Sequence, residues 1–276
     1  MLDTERRVRL DQVRAVWWRG LRSGPALPRD DSKDAEFVQS EWHHALWAAW
    51  QTMCCVWMNH PTSVQQASYK FEQLSRARSF NFAAPDTVVT NNLEDALRFA
   101  DRHGGKCVYK LLTASTIAMD MCRGDTATTS KGFSCPTTMV SSYDLSVRGS
   151  LGFAPCQFQE SLDKRREFRV TVIGDEVFAV SLEPREPSVS EPDWRTLWTR
   201  ETTSVVNLSS AVNDACRAIV VSYGLTFAAI DLVETQDGEL YFLELNPIGQ
   251  YLYLEGLHPE LRLCDATIDV LIGSAA

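Results

Sequence analysis

The stretch that decides the fold is Asp231-Leu232-Val233-Glu234-Thr235-Gln236-Asp237-Gly238-Glu239-Leu240-Tyr241-Phe242-Leu243-Glu244-Leu245-Asn246-Pro247. Two apolar runs flank Gln-Asp-Gly. Asp237-Gly238 signals a two-residue hairpin turn, because a type I′ turn needs positive φ at both central positions. Counting outward from that turn places Asp231 opposite Glu244. Asn246 points to the same face as Glu244, since side chains alternate along a strand. Two carboxylates and an amide oxygen therefore gather at the open end of a hairpin. Such hard donors suit Mg2+, which binds through a few carboxylates together with substrate phosphates. Solvated acids on an outer face are the plainer reading. Against it, Glu244 sits within Tyr-Phe-Leu-Glu-Leu, where an unpartnered carboxylate is costly.

Working outward, the chain of 276 residues is long enough for one large or two small domains with real cores. It is 45% hydrophobic and 23% charged, an ordinary globular balance. A net charge of −9 gives no general affinity for nucleic acid, so an anionic ligand needs a local basic pocket. No apolar run is long enough to span a membrane, and Met1-Leu-Asp-Thr-Glu-Arg-Arg is not an apolar signal region. Eight cysteines, singly placed except Cys54-Cys55 and without CxxC spacing, read as reduced thiols of a cytoplasmic protein.

From the start, Val13-Arg-Ala-Val-Trp-Trp18 reads as a strand and residues 21–33 as a loop. Apolar spacing predicts a helix over Asp34–Met53. His43 and His44 on it are adjacent rather than four apart, which fits packing or surface positions better than a metal pair. Trp57-Met-Asn-His-Pro61 reads as a loop and Ser63–Ser79 as one helix carrying Lys70, Gln73 and Leu74. A strand follows Pro85, and Asn92 caps a helix Leu93–His103 that Gly104-Gly105 ends. Lys106–Leu112 reads as a strand. Residues 113–135 are rich in Thr, Ser, Gly and Asp: either a loop that closes over phosphates through its N–H groups or a plain surface loop.

Residues 155–182 read as an antiparallel meander, with a charged turn at Asp163–Arg166 between its first two strands. Arg169 lies within an apolar strand, either as the partner of a buried acid or as a phosphate ligand. Pro184–Trp198 reads as a loop containing Asp193-Trp194-Arg195. Leu208–Tyr223 and Leu263–Ile272 read as helices. The sequence holds no Walker A or GxGxxG loop and no convincing Ser-His-Asp constellation.

Taken in order, Val16-Trp-Trp-Arg, Trp57-Met-Asn-His-Pro, Lys70-Phe-Glu-Gln-Leu, Pro85-Asp-Thr-Val-Val-Thr, Ala154-Pro-Cys-Gln-Phe-Gln-Glu, Phe168-Arg-Val-Thr-Val-Ile-Gly, Asp193-Trp-Arg and Phe242-Leu-Glu-Leu-Asn-Pro-Ile-Gly-Gln-Tyr resemble the ATP-grasp superfamily. Within it they resemble the graspetide ligases, the microviridin-type maturases of ribosomal peptides. Leu-Glu-Leu-Asn-Pro alone indicates only ATP-grasp; its combination with Asp-Trp-Arg and Asn-Pro-x-Gly-Gln is more specific.

The resemblance implies an α+β ATP-grasp fold with two α+β lobes clasping ATP. Residues 85–145 would form the small lobe and 146–276 the C-terminal lobe with the metal site. Residues 1–84 would hold a reduced N-terminal pre-ATP-grasp region and linking helices, since family members carry a further segment ahead of Val-Trp-Trp-Arg. A bare strand edge at Val13–Trp18 would favour a homodimer. Ile248 departs from the family, which often has a polar residue there.

The resemblance also assigns roles. Lys110 matches the lysine on the nucleotide phosphates, with Lys70 and Gln159 as further nucleotide-side residues. Glu160 falls at the hinge, where backbone reads adenine, and Glu167 aligns with a ribose ligand. Arg169 matches the arginine near the transferred phosphate, and Arg195 is assigned to phosphate or acyl substrate. Asp231, Glu244 and Asn246 match the ligands of ATP-bound Mg2+. The implied reaction activates an Asp or Glu side chain of a precursor peptide, leader plus core, as an acyl phosphate. A Thr, Ser or Lys of the same peptide then closes an ester or amide cross-link. A ligase adding a free amino acid to a peptide carboxylate shares these residues, and a nucleotide-binding module without turnover is the alternative of another class. Neither nucleic acid nor membrane is an expected partner.

Overall fold

The computed structural model describes residues 8–20, 33–112, 137–148, 151–183 and 199–273. The described residues make three sheets. Two short strands, β1 (Ala15–Trp17) and β2 (Val56–Met58), pair in parallel after the long helix α1 (Lys33–Gln51). The expected loop at Trp57 is thus partly a strand, closing onto the strand at Val16. The expected helix Ser63–Ser79 is two helices, α2 (Pro61–Gln66) and α3 (Lys70–Arg78). The break has a visible cause. The Gln73 side-chain amide donates to the Ala67 carbonyl at 2.6 Å, the acceptor that a continuous helix would offer to its own backbone.

A four-stranded antiparallel sheet follows, built from β3 (Thr87–Thr90), β4 (Lys106–Lys110), β5 (Thr138–Ser141) and β6 (Cys156–Gln159) in the order β3-β6-β4-β5. Helices α4 (Leu93–Arg102) and α5 (Ser142–Arg148) cover one face. Ala96, Phe99, Ala100, Cys107, Leu145 and Phe158 fill that core. Asn92 caps α4 as expected, its side-chain oxygen accepting from the N–H groups of Glu94 and Asp95. Lys110, Gln157 and Gln159 alternate away from the core residues Tyr109 and Phe158, so the opposite face of this sheet is polar.

The meander expected over 155–182 is corrected here. Strand β6 pairs with β3 and β4, not with its successor β7 (Lys164–Ile173). The charged run that reads as a turn is the first part of β7. Lys164, Arg165 and Arg166 are accommodated there because Glu167 and Glu234 face them. Residues 160–163 carry the chain from one sheet to the other, and β6 lies beyond the boundary at 145 drawn from sequence.

The third sheet has the order β11-β10-β7-β8-β9, antiparallel throughout, with β8 (Glu176–Leu182), β9 (Thr203–Val206), β10 (Phe227–Thr235) and β11 (Leu240–Asn246). Phe168, Val170, Val172, Ala228, Ile230, Leu232, Phe242 and Leu245 line one face against α3 and α6 (Ser210–Ser222). At one end of the other face, Ile173, Val180 and Phe227 pack under α7 (Leu252–Leu257) and α8 (Leu263–Gly273) with Met58 of β2. The rest of that face carries Glu167, Arg169 and Asp231.

The hairpin that opened the reading pairs Asp231 with Glu244 as expected, but by a different route. Its loop has three residues, Gln236-Asp237-Gly238, closed by the Thr235 N–H donating to the Glu239 carbonyl at 3.0 Å, with Gly238 at φ +86°. Near the loop, Glu234 faces Leu240, Val233 faces Tyr241 and Leu232 faces Phe242, one residue off the expected count. A bulge between Asp231 and Leu232 adds one residue on β11 and restores it. That extra residue reverses the strand's phase. Phe242 and Leu245, three apart, both enter the core, and Glu244 turns to the other face. Without the bulge Glu244 would share the face of Phe242.

Candidate active site

Three strands align one ionic row. Asp231 on β10 is flanked by Arg169 on β7 and Glu244 on β11. Arg169 is buried, and its Nη1 donates to Asp231 Oδ1 at 2.7 Å while Nη2 donates to the Gln250 carbonyl at 3.2 Å. Both readings of Arg169 therefore stay in play: it is the partner of a buried acid, and its Nε is buried with no partner of its own. Glu244 takes its cation from another element, with Lys70 Nζ of α3 at 3.0 Å from Oε2. Lys110 reaches in from the four-stranded sheet. Its Nζ donates to Gln159 Oε1 at 2.6 Å, and Gln159 Nε2 donates to Thr87 Oγ1 at 3.1 Å. Gln159 thus holds the lysine in place.

The charges perturb one another. Burial and neighbouring Glu244 push the Asp231 carboxyl up to about 6 against the pull of Arg169. Burial raises Glu244 too, but Lys70, Lys110 and Arg169 outweigh it and hold that carboxyl below its ordinary value. Burial, with Lys164 and Lys70 nearby, presses Lys110 down to about 8, opposed by Glu244 and Asp231. Lys110 of the four-stranded sheet and Arg169, Asp231 and Glu244 of the five-stranded sheet are therefore close enough to perturb one another.

Asn246 pairs with Ala229, and its side-chain oxygen accepts the Ile248 N–H at 3.1 Å. Among the described residues no three His, Cys, Asp or Glu side chains gather to hold a metal. The expected set has two acids and an amide. Among the described residues, the Arg169 and Lys70 ion pairs take Oδ1 of Asp231 and Oε2 of Glu244. Hard oxygen donors of that number fit Mg2+, which completes its shell with water and phosphate.

The remaining expected residues divide. Glu167 shares the face of Arg169 and binds Lys164 at 2.7 Å. Glu160 lies just past β6, and its carboxylate turns back to accept the Asp86 N–H at 2.6 Å. Its own N–H donates to the Asp86 carbonyl at 3.0 Å, leaving its C=O for any ligand contact. Arg195, and the loops at 113–135 and Pro184–Trp198, lie outside the described residues.

Sequence reasoning gave no role to the residues that fix this geometry. Asn59, at φ +59°, donates from Nδ2 to the carbonyls of Phe227 and Pro247 and accepts the N–H groups of Thr226 and Phe227. It ties the start of β10 to the end of β11. Gln73 does the same from α3, taking both backbone groups of Leu245. Gly249 is required by contact, since a Cβ there would lie 2.6 Å from Ala229 Cβ and 2.9 Å from Arg169 Nη2. Tyr253 stands close enough to Arg169 and Asp231 to feel both. Asn59, Gln73 and Gly249 all stood in motifs that carried the resemblance, but none was given a role there.

No family model and no curated protein matches the chain. Solved structures do. The macrocyclase MdnC of Microcystis aeruginosa MRC, bound with precursor peptide MdnA, superposes with a TM-score of 0.82 at 25% identity, covering 99% of this chain and 82% of its own. The chain has the ATP-grasp fold. A RiPP-associated ATP-grasp ligase of Chryseobacterium gregarium, in complex with ADP and a leader and core peptide, matches at 0.80 and 24% identity, covering 96% and 78%. The ATP-grasp ligase PsnB, complexed with minimal precursor, Mg and ADP, matches at 0.66 and 23%, covering 93% and 77%. Among the described residues no helix is long and apolar enough to cross a membrane.

Proposed function

We propose that this ATP-grasp protein is a graspetide-type ligase. It uses ATP to activate Asp or Glu side chains of a ribosomal precursor peptide and closes ester or amide cross-links within that peptide. The observation that carries this reading is the ionic row Arg169–Asp231–Glu244–Lys70, faced by Lys110 from the other sheet. An assembly of paired cations and carboxylates is pre-formed for Mg2+ and a polyphosphate, because each incoming charge replaces one already there. The lobes divide in the link 160–163, with the nucleotide between the sheets and the carbonyl of Glu160 beside the base.

Asp231, Glu244 and Asn246 would hold the Mg2+, which when bound supplies charge neutralisation of the phosphate oxygens. Lys110 and Lys70 hold the phosphate chain. Arg169, its Nε already in place, offsets charge on the transferred group. A peptide carboxylate oxygen bonds to the γ-phosphorus as the bond to the bridging oxygen breaks, its electron pair leaving on ADP. A hydroxyl or amine of the same peptide then bonds to the acyl carbon, phosphate departs, and a proton is released. The peptide loses one water for each ATP split. Arg195 belongs on the acyl or phosphate side in this reading. The six described cysteines are free thiols, which supports a cytoplasmic site of action. Among the described residues β1 pairs with β2 alone, and that edge supports association of two copies.

The test is ADP release with and without a candidate precursor peptide, followed by mass spectrometry. Peptide-stimulated ADP release and loss of one water per cross-link support the assignment. A gain of an amino-acid residue would instead identify an amino-acid ligase, and ATP binding without turnover a nucleotide-binding module.

A further inference from the structure

Arg19 follows β1 in Val16-Trp17-Trp18-Arg19-Gly20 and is left out of the machinery described so far. Gly20, at φ +83°, turns the chain so closely that a Cβ would lie 3.4 Å from Ile248 Cδ1. This brings Arg19 against the segment that follows Asn246-Pro247. Its guanidinium lies 5.1 Å from the Trp17 ring centroid and 5.9 Å from that of Phe227, and Nη1 donates to the Gly249 carbonyl at 3.2 Å. Arg169 Nη2 donates to the next carbonyl, that of Gln250, and would lie 2.9 Å from a Cβ at Gly249. Two guanidinium groups therefore bond adjacent carbonyls of one stretch of backbone.

They differ in one respect. Arg169 has Asp231, whereas Arg19 has no acidic partner among the described residues. Its surroundings are aromatic faces, a carbonyl and the phenol of Tyr251, and partial desolvation lowers its affinity for a proton. Arg19 is exposed, its guanidinium resting on aromatic rings, and a cation without a counter-anion among the described residues is an open place for one. Nη1 is committed to Gly249, leaving the Nε and Nη2 hydrogens, a planar pair matched to a carboxylate.

We propose that Arg19 is the specificity-determining residue for the acidic side chain to be activated, holding its carboxylate beside Arg169. The inference rests on the ligase reading and deepens it. One residue reads the acid, and its neighbour on the next carbonyl serves the phosphate that the acid attacks. Holding the two reactants on one backbone segment is how binding energy becomes reaction geometry.

The test uses N-acetyl-L-aspartic acid N-methylamide and its asparagine analogue as probes, followed by saturation-transfer NMR on the full chain with and without an ATP analogue. The aspartyl probe binds the wild type and the asparaginyl probe binds it much more weakly. Arg19→Gln weakens the aspartyl probe about tenfold or more, Arg19→Lys less, and both keep nucleotide affinity within about twofold. Equal probe affinity in Arg19→Gln overturns the proposal. So does equal binding of the two probes to the wild type, or loss of probe, nucleotide and thermal stability together, which marks a merely structural clamp. Failure of the wild type to bind nucleotide sinks the ligase reading instead, and the titration without nucleotide still decides the role of Arg19.

Discussion

Asp231 and Glu244 face each other across β10 and β11, yet each draws its cation from a different element: Arg169 of β7 at 2.7 Å and Lys70 of α3 at 3.0 Å. The pair joins the centre of the sheet to the helix behind its edge. A change in either carboxylate is therefore felt both in the chemistry and in the packing of α3.

Replacing Asp231→Asn or Glu244→Gln should lower kcat/KM for ATP-dependent turnover on the order of a hundredfold or more while the fold persists. Far-UV circular dichroism checks the fold, and turnover is measured across a Mg2+ titration. Near-normal rates at saturating Mg2+ in either variant would refute the metal assignment.

The pH profile of kcat/KM should be bell-shaped. Asp231, pushed up to about 6 by burial, must lose its proton to serve a cation, so the rate rises through that pH. Lys110, pressed down to about 8 by burial, must keep its proton to hold phosphate, so the rate falls above it. Stability moves oppositely at both ends. Between 3.8 and about 6 the folded chain binds the Asp231 proton more tightly than the unfolded chain, so this contribution is lost as pH rises. Between about 8 and 10.5 the unfolded chain binds the Lys110 proton more tightly, so stability grows as pH rises. A flat rate between pH 5 and 9 would show that neither group is needed in that charge state.

Gln73→Leu should cost about 2–4 kcal/mol in urea unfolding, because it strips partners from both backbone groups of Leu245 and from the Ala67 carbonyl. Nucleotide affinity should fall with it, since Lys70 and Glu244 are aligned by the same contact. Unchanged unfolding midpoints would mean that α3 is held by its apolar face alone.

Gly249→Ala should destabilise by about 1–3 kcal/mol and reduce kcat more than it raises KM. The new methyl would fall within 2.6 Å of Ala229 and 2.9 Å of Arg169 Nη2, so the guanidinium has to move. Steady-state kinetics beside a thermal melt separate the two effects, and wild-type kcat with a lowered melting temperature would uncouple Gly249 from Arg169.

Much of this site was legible in one hairpin. Period-two alternation and a Gly-containing loop were enough to pair Asp231 with Glu244, although the loop is three residues long and the bulge makes up the difference. A bulge is a compromise between a strand and its core, and Phe242 and Leu245 reveal it only once the helix they pack against is known. The break between α2 and α3 was hidden for the same reason: the Gln73 amide that ends the helix is drawn there by a strand far away in sequence. Strand β6 was misjoined because nearness along the chain favours a meander, while its partners Thr87–Thr90 and Val108–Lys110 precede it by many residues. Arg169 and Glu244 drew notice because charged side chains inside apolar strands need a reason to be there, Asp231 through its pairing with Glu244, and Lys110 only through the resemblance. Asn59 and Gln73 stood in the motifs of that resemblance without a role, because neutral amides attract no such notice.

The link 160–163 is fastened at both ends. The Glu160 N–H donates to Asp86 on the small-sheet side at 3.0 Å, and the Gln236 N–H donates to Asp163 on the large-sheet side at 3.1 Å. If the proposed lobes part when a nucleotide enters or leaves, a link anchored at both ends is expected to turn that motion into rotation about it. A pair of spectroscopic labels set close to it should report a change of angle at nearly constant separation, while a pair at the far rim of the cleft should report the full swing.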